Sequence, residues 1–228
     1  MPSASWKLQN TGHDMEHSEK NKSHFLAWDE EYRHVTWGGP RSISMVEEFM
    51  SSSSSSRLLD AGCGNGRYSL PLSRKYDVVG IDVSANAISK AQTYIKKSGH
   101  DALLLVSTIT DLPFSENSFD AVICYGVLQH LLEHERKQTV DEFRRVLKPG
   151  ALLFFEAFGV EDMRYGGEEL EKDTFVRKGG IIYHYFSEKE LRSLFSEFET
   201  VKLENIRVEK RFKGELYTRH HIRAVLRS

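Results

Sequence analysis

Leu58-Leu59-Asp60-Ala61-Gly62-Cys63-Gly64-Asn65-Gly66-Arg67, followed by Val78-Val79-Gly80-Ile81-Asp82-Val83-Ser84, decides the fold of this chain. The first run reads as a buried strand entering a glycine-rich turn that opens a helix. The second reads as another strand, ending in an acid. A turn with little side-chain bulk lets a nucleoside come close to the backbone, and an acid at Asp82 can accept from both ribose hydroxyls. Gly62 and Asp82 are twenty positions apart, the interval needed to go out along a helix and back along a strand.

The glycine spacing narrows the ligand. A dinucleotide fingerprint is G-x-G-x-x-G, with the pyrophosphate on the helix N-terminus. Here the glycines run G-x-G-x-G, and Asp60 stands just before them. A carboxylate there repels a pyrophosphate and suits a ligand carrying an ammonium group. The D-x-G-x-G-x-G run, together with Gly80-Ile81-Asp82-Val83-Ser84, resembles the class I S-adenosylmethionine-dependent methyltransferases.

From Arg57 onward strand and helix patterns alternate. Strands are expected at 57–61, 77–81, 102–106, 119–124 and 151–158, and helices near 66–74, 84–98 and 133–147. The last of these helices stops at Lys148-Pro149-Gly150. Such alternation argues for an α/β fold with a parallel sheet covered on both faces. A helix is expected at 187–197, then a hairpin from 199–209 and 215–227. The resemblance, which covers roughly residues 25–228, implies a Rossmann-like, seven-stranded, mostly parallel sheet closed by an antiparallel C-terminal hairpin. Three parts are expected: a mobile polar tail at 1–22, lid helices and a serine-rich linker at 23–56, and the cofactor-binding domain at 57–228. Within the last, the aromatic stretch 159–186 is the expected substrate-pocket insertion.

The resemblance also implies site residues. It places the cofactor S-adenosylmethionine (product S-adenosylhomocysteine) on Asp60, Gly62, Gly64, Asn65, Gly66, Asp82 and Val83. In the loop Val106-Ser107-Thr108-Ile109-Thr110-Asp111, Thr108 stands where the family carries an Asp, so Thr108 and Ile109 are expected at the adenine, with Asp111 as the alternative. Tyr125 and His130 follow the fourth strand, and ligands of open α/β sheets bind beyond such ends. Tyr125 is thus expected at both cofactor and methyl-transfer site. The segment Trp28 to Trp37 resembles a lid helix, whose aromatics suit a sulfonium cation, and Trp37 is counted as a cofactor contact. If the acceptor must lose a proton, His130 and His184 are candidate bases, because imidazole titrates near neutrality. His130 and His134 sit at i and i+4, but without a third ligand in sequence no metal site is expected.

Composition describes an ordinary globular protein: 228 residues, 39% hydrophobic, 28% charged, net charge −2. The charge is uneven, since residues 201–228 hold eight Lys or Arg against three Glu, a local +5 that leaves −7 for the rest. Two cysteines, Cys63 and Cys124, form no disulfide framework, and there is no apolar run of membrane-spanning length or signal-peptide core. The expected location is cytoplasmic. The expected acceptor is a small molecule, reached by in-line displacement onto O, N or S. The alternatives are tRNA or protein, for which the basic C-terminal hairpin would dock, and a non-catalytic S-adenosylmethionine-binding module. Oligomeric state is not legible.

Overall fold

Ten strands and six helices are present in the computed structural model, which describes residues 25–51, 53, 55–177 and 179–228. The tail expected at 1–22 lies outside the described residues. Helix α1 (25–34) and α2 (Ser44–Phe49) come first. The alternating core follows: β1 (Arg57–Ala61), α3 (Ser69–Ser73), β2 (Asp77–Asp82), α4 (Ala85–Lys97), β3 (Leu103–Val106), β4 (Phe119–Tyr125), α5 (Glu133–Val146) and β5 (Leu147–Phe158). Three short strands occupy the expected insertion, β6 (Glu168–Glu171), β7 (Thr174–Val176) and β8 (Ile182–His184). The chain ends with α6 (Glu188–Leu194), β9 (Glu199–Phe212) and β10 (Glu215–Arg227).

The main sheet has seven strands in the order β3-β2-β1-β4-β5-β10-β9. The first five are mutually parallel, and β10 runs antiparallel to both β5 and β9. Strand order reverses between β1 and β4, and both neighbours of that point end at the same edge. A crevice opens there, beyond the carboxyl ends of the strands.

Alternation along each strand divides the core between the two faces. Leu59, Ala61, Val122, Cys124, Leu153 and Phe155 face α5 and α6, where Phe143, Val146, Leu191 and Phe195 are fully or almost fully buried. Leu58, Val78, Ala121, Ile123 and Phe154 face α2 and α3, against Met45, Val46 and Leu72. Ile88, Ala91 and Ile95 of α4 pack on Cys63, Leu70 and Leu104.

Helix ends follow their caps. The Ser84 hydroxyl accepts from Ala87 N at 3.0 Å to start α4, and Lys96 and Lys97 sit at its negative end. Glu135 reaches back to accept from Leu132 N at 2.8 Å at the start of α5. Helix α3 is shorter than the expected 66–74, because Gly66 is in the left-handed region (φ +85°) and the chain turns once more before coiling. Strand β5 starts at Leu147 rather than 151. Leu147 pairs with Phe119 ahead of a register shift that absorbs Pro149 and Gly150.

The basic hairpin is largely neutralised. Arg207 lies 2.7 Å from Glu161, Arg219 2.7 Å from Asp162, Arg223 2.6 Å from Glu156 and Arg227 2.8 Å from Glu199. The charge asymmetry of the sequence therefore becomes pairing in the fold. Among the described residues no helix is long and apolar enough to cross a membrane.

Candidate active site

The turn after β1 is built to be approached closely. Gly62 N and Cys63 N both donate to Ile81 O, at 2.9 and 2.8 Å, and fold the chain back over the end of β2. Gly62 (φ +76°) and Gly64 (φ +53°) lie where other residues are strained. A Cβ at 62 would meet Val127 Cγ2 at 2.5 Å, and one at 64 would meet the Tyr32 hydroxyl at 2.3 Å. Two partner elements thus rest directly on the glycine backbone.

Beside this turn lies a cavity of about 570 Å³, open mouth included, lined by Phe25, Trp28, Tyr32, Gly62, Asp82, Val83, Ser107, Thr108, Ile109, Gly126, Val127, His130 and Leu131. The residues come from α1, the ends of β1, β2 and β4, and the loop after β3. They meet because all of these ends converge at the strand-order reversal.

Among the described residues, Asp82 is the only carboxylate lining the cavity. Its Oδ2 accepts from Gly64 N at 2.8 Å and its Oδ1 from Ser84 N at 2.9 Å. Burial pushes its carboxyl up to about 6, against the pull of those two N–H groups. Asp60 is buried behind the turn and accepts from Ser69 Oγ at 2.6 Å; burial raises its carboxyl to about 7. It does not line the cavity.

Helix α1 forms the roof and is fastened at its middle and at its C-terminal end. Asp29 Oδ1 accepts from Ser84 Oγ at 2.7 Å and from Asn86 N at 3.0 Å, and Oδ2 from Asn86 Nδ2 at 2.9 Å. Lys90 Nζ donates to the carbonyls of Tyr32 and Val35, the latter at 2.8 Å. The acid meets the positive end of α4, and the lysine meets the unpaired carbonyls that end α1. Trp28 then lies edge-on to His130, ring centres 4.6 Å apart.

His130 sits in a directed chain. Phe158 N donates to Gln129 Oε1 at 3.0 Å, which turns the Gln129 amide nitrogen toward His130 Nε2 at 3.2 Å. His130 Nδ1 lies 2.9 Å from Ile182 O. A carbonyl only accepts, so Nδ1 carries the proton and Nε2 accepts from Gln129. Both imidazole nitrogens are engaged.

Of the residues expected from sequence, Gly62, Asp82, Val83, Thr108, Ile109 and His130 are brought together on the cavity. The Thr108 hydroxyl is 2.7 Å from Thr110 Oγ1, and Asp111 is exposed and off the lining. Gly64 touches Tyr32 instead of the cavity. Gly66 faces Ala91 of α4. Asn65 Nδ2 donates to Trp37 O at 2.9 Å, and the Trp37 side chain is exposed. Tyr125 is placed elsewhere: its ring packs edge-on to Tyr68 at 4.9 Å, on the α2–α3 face. His184 is also remote. It is buried in the insertion sheet, with Nδ1 2.9 Å from Thr174 Oγ1 and Nε2 2.8 Å from Glu190 Oε1 without hydrogen-bond alignment. Sequence reasoning missed Phe25, Ser107, Gly126, Val127 and Leu131; Gly126, directly after β4 and with φ +74°, was the available signal.

Residues 59–155 match a family model described as a methyltransferase domain. The tRNA N(3)-cytidine methyltransferase METTL2 of Bos taurus is 28% identical over 184 residues, 74% of this chain and 48% of that protein. The tRNA (carboxymethyluridine(34)-5-O)-methyltransferase of Arabidopsis thaliana is 36% identical over 130 residues, 57% of this chain and 29% of that protein. The chain thus spans about half or less of these curated relatives. Among solved structures, a SAM-dependent methyltransferase from Methanosarcina mazei aligns with a TM-score of 0.69 at 26% identity, covering 83% of this chain and 98% of that one.

Proposed function

Because the chain belongs to the class I S-adenosylmethionine-dependent methyltransferases, we propose that the cavity under α1 holds the cofactor and that the methyl acceptor is a nucleoside of tRNA. The residues present fit the cofactor. Asp82 would take the ribose hydroxyls, Val83, Thr108 and Ile109 would flank the adenine, and Gly62 leaves the backbone bare for close approach. When bound, the cofactor supplies a methyl group already activated on a sulfonium.

What remains for the chain is alignment and exclusion of water. Trp28 and Tyr32 roof the site, and Asp29 and Lys90 hold that roof down. His130 positions Trp28 and Tyr183, whose rings lie 4.6 and 4.7 Å from its own. In this reading its part is positional, with Nε2 facing the Gln129 amide at 3.2 Å.

The observation that carries the acceptor chemistry is this lining: one carboxylate at the ribose position and one imidazole with both nitrogens engaged. Such a site favours an acceptor atom that offers a lone pair without first losing a proton, as a ring nitrogen or an ionised carboxyl does. Both are compatible with the reactions named for the two tRNA-modifying relatives. A small aromatic acceptor is the second reading, favoured by the enclosure that α1 gives the cavity.

The test supplies methyl-labelled S-adenosylmethionine to the protein together with an extract of its own host, and separates tRNA, protein and small molecules afterwards. Label in a nucleoside of tRNA is the expected result. Label confined to the small-molecule or protein pool would overturn the tRNA assignment and leave the cofactor assignment standing.

A further inference from the structure

From His130, on the cavity lining, a chain of rings runs into the aromatic insertion. The Tyr183 ring lies edge-on to His130 at 4.7 Å, and Phe158 stacks on Tyr183 at 6.1 Å with 14° between the planes. On Phe158 two guanidinium groups converge, Arg164 at 4.8 Å and Arg219 at 5.5 Å from the ring centre. A third belongs to the same group: Arg177 Nη2 donates to the Tyr185 hydroxyl at 3.1 Å, and that hydroxyl donates to Arg164 O at 2.7 Å.

These three cations have too little negative charge beside them. Asp162, with its side chain fully buried, serves both Arg219 and Arg164, and serves them unequally. Arg219 Nε donates to it at 2.7 Å, whereas Arg164 Nε stands 3.6 Å away. No carboxylate among the described residues is paired with Arg177. On the hairpin, by contrast, Arg207, Arg223 and Arg227 each have an acid within 2.8 Å, and Arg211 at its tip donates to Gly214 O at 3.1 Å. Arg164 and Arg177 are therefore the two guanidiniums of this face whose hydrogen-bonding forks remain available. Arg164 is 41% exposed and Arg177 half-buried, so both reach solvent.

We infer that Arg164 and Arg177, together with the half-buried ring of Tyr183, seat a phosphate and a neighbouring base of the acceptor RNA. A guanidinium fork matches two phosphate oxygens, and flat aromatic faces take unstacked bases. The nucleotide to be methylated enters the cavity beside His130 and Trp28, while the next phosphate along the strand is held at the arginines. This rests on tRNA being the acceptor. It also relocates the RNA contact from the neutralised C-terminal hairpin to the insertion.

The test measures binding of unfractionated host tRNA to the S-adenosylhomocysteine-loaded full chain across a salt series. The variants are Arg164→Gln, Arg177→Gln, Arg177→Lys and, on the hairpin, Lys210→Gln. Each Gln variant in the insertion should weaken tRNA binding about tenfold and lower the slope of log affinity against log salt by about one. Arg177→Lys should retain most of the slope, Lys210→Gln should behave as wild type, and S-adenosylhomocysteine affinity should be unchanged throughout. Wild-type affinity and slope in both Arg→Gln variants, with tRNA still bound and methylated, would overturn this inference alone. Failure of the wild-type protein to bind tRNA while it binds S-adenosylhomocysteine would overturn the tRNA reading and this inference with it.

Discussion

Lowering the pH through the titration of Asp82 should loosen the cofactor while leaving the fold intact. A carboxylate accepts from two ribose hydroxyls only when ionised. In the free protein, burial pushes the Asp82 carboxyl up to about 6, opposed by the N–H groups of Ser84 and Gly64. Cofactor binding then selects the ionised form, and affinity follows the ionised fraction. One pH unit below that value about one molecule in eleven is ionised, so Kd for S-adenosylhomocysteine at pH 5 should be roughly tenfold weaker than at pH 8, or about 1.4 kcal/mol. Asp60, behind the turn, is raised to about 7, chiefly by its own burial and in smaller part by Asp82. Stability of the free protein moves the other way. A buried acid with a raised pKa contributes most below its unfolded value near 4, and that contribution is lost as pH rises through about 6. Calorimetry at pH 5, 6, 7 and 8 on wild type and Asp82→Asn separates the parts. The variant should bind roughly 3 kcal/mol more weakly at pH 8, on the scale of two charge-assisted hydrogen bonds, and show a flat profile. A flat wild-type profile, or a pH dependence that survives in Asp82→Asn, would refute the assignment.

Other perturbations address the roof and the core. Gly64→Ala places a Cβ 2.3 Å from the Tyr32 hydroxyl at φ +53°, so it should strain the turn by about 1 kcal/mol and lift α1. Cofactor affinity should fall at least tenfold and recover in part in the Gly64→Ala, Tyr32→Phe double variant, read by calorimetry. Asp29→Ala removes the clamp between α1 and α4 and should speed hydrogen exchange of the α1 amides. The Asn86 N–H and the Ser84 hydroxyl hold the Asp29 carboxyl below its usual range, so the clamp's contribution is present above pH 4 and is lost as pH falls through that lowered value. Phe155→Ala empties a fully buried position edge-on to Phe186 and Phe195 and should cost about 3–5 kcal/mol in urea unfolding.

Where side chains alternate between two buried faces, the sequence carries the fold. Runs such as Leu58–Ala61 and Val78–Asp82 form strands close to the expected limits, because the glycine turns and the Ser84 cap bracket them. The insertion sheet was not legible. Its strands have three or four residues, and one carries Glu168, Glu169 and Glu171, so no period emerges from a window that short. Proximity to a strand end was a sufficient guide to Asp82, Thr108 and His130 lining the cavity. It failed for Tyr125 because the face of a strand is set by parity. Tyr125 shares its parity with Ala121 and Ile123 and goes to the α2–α3 side with them. His184 failed for a different reason. Its partners Thr174 and Glu190 come from another strand and a helix, and no spacing rule in the sequence joins them.

Hydrogen exchange with and without saturating S-adenosylhomocysteine tests most directly that the cavity under α1 is the cofactor site. Protection should appear together at the amides of 62–66, 82–84 and 107–109 and in α1, and it should disappear in Asp82→Ala. Binding that protects other segments, or that leaves α1 and the glycine turn exchanging as in the free protein, would contradict the account.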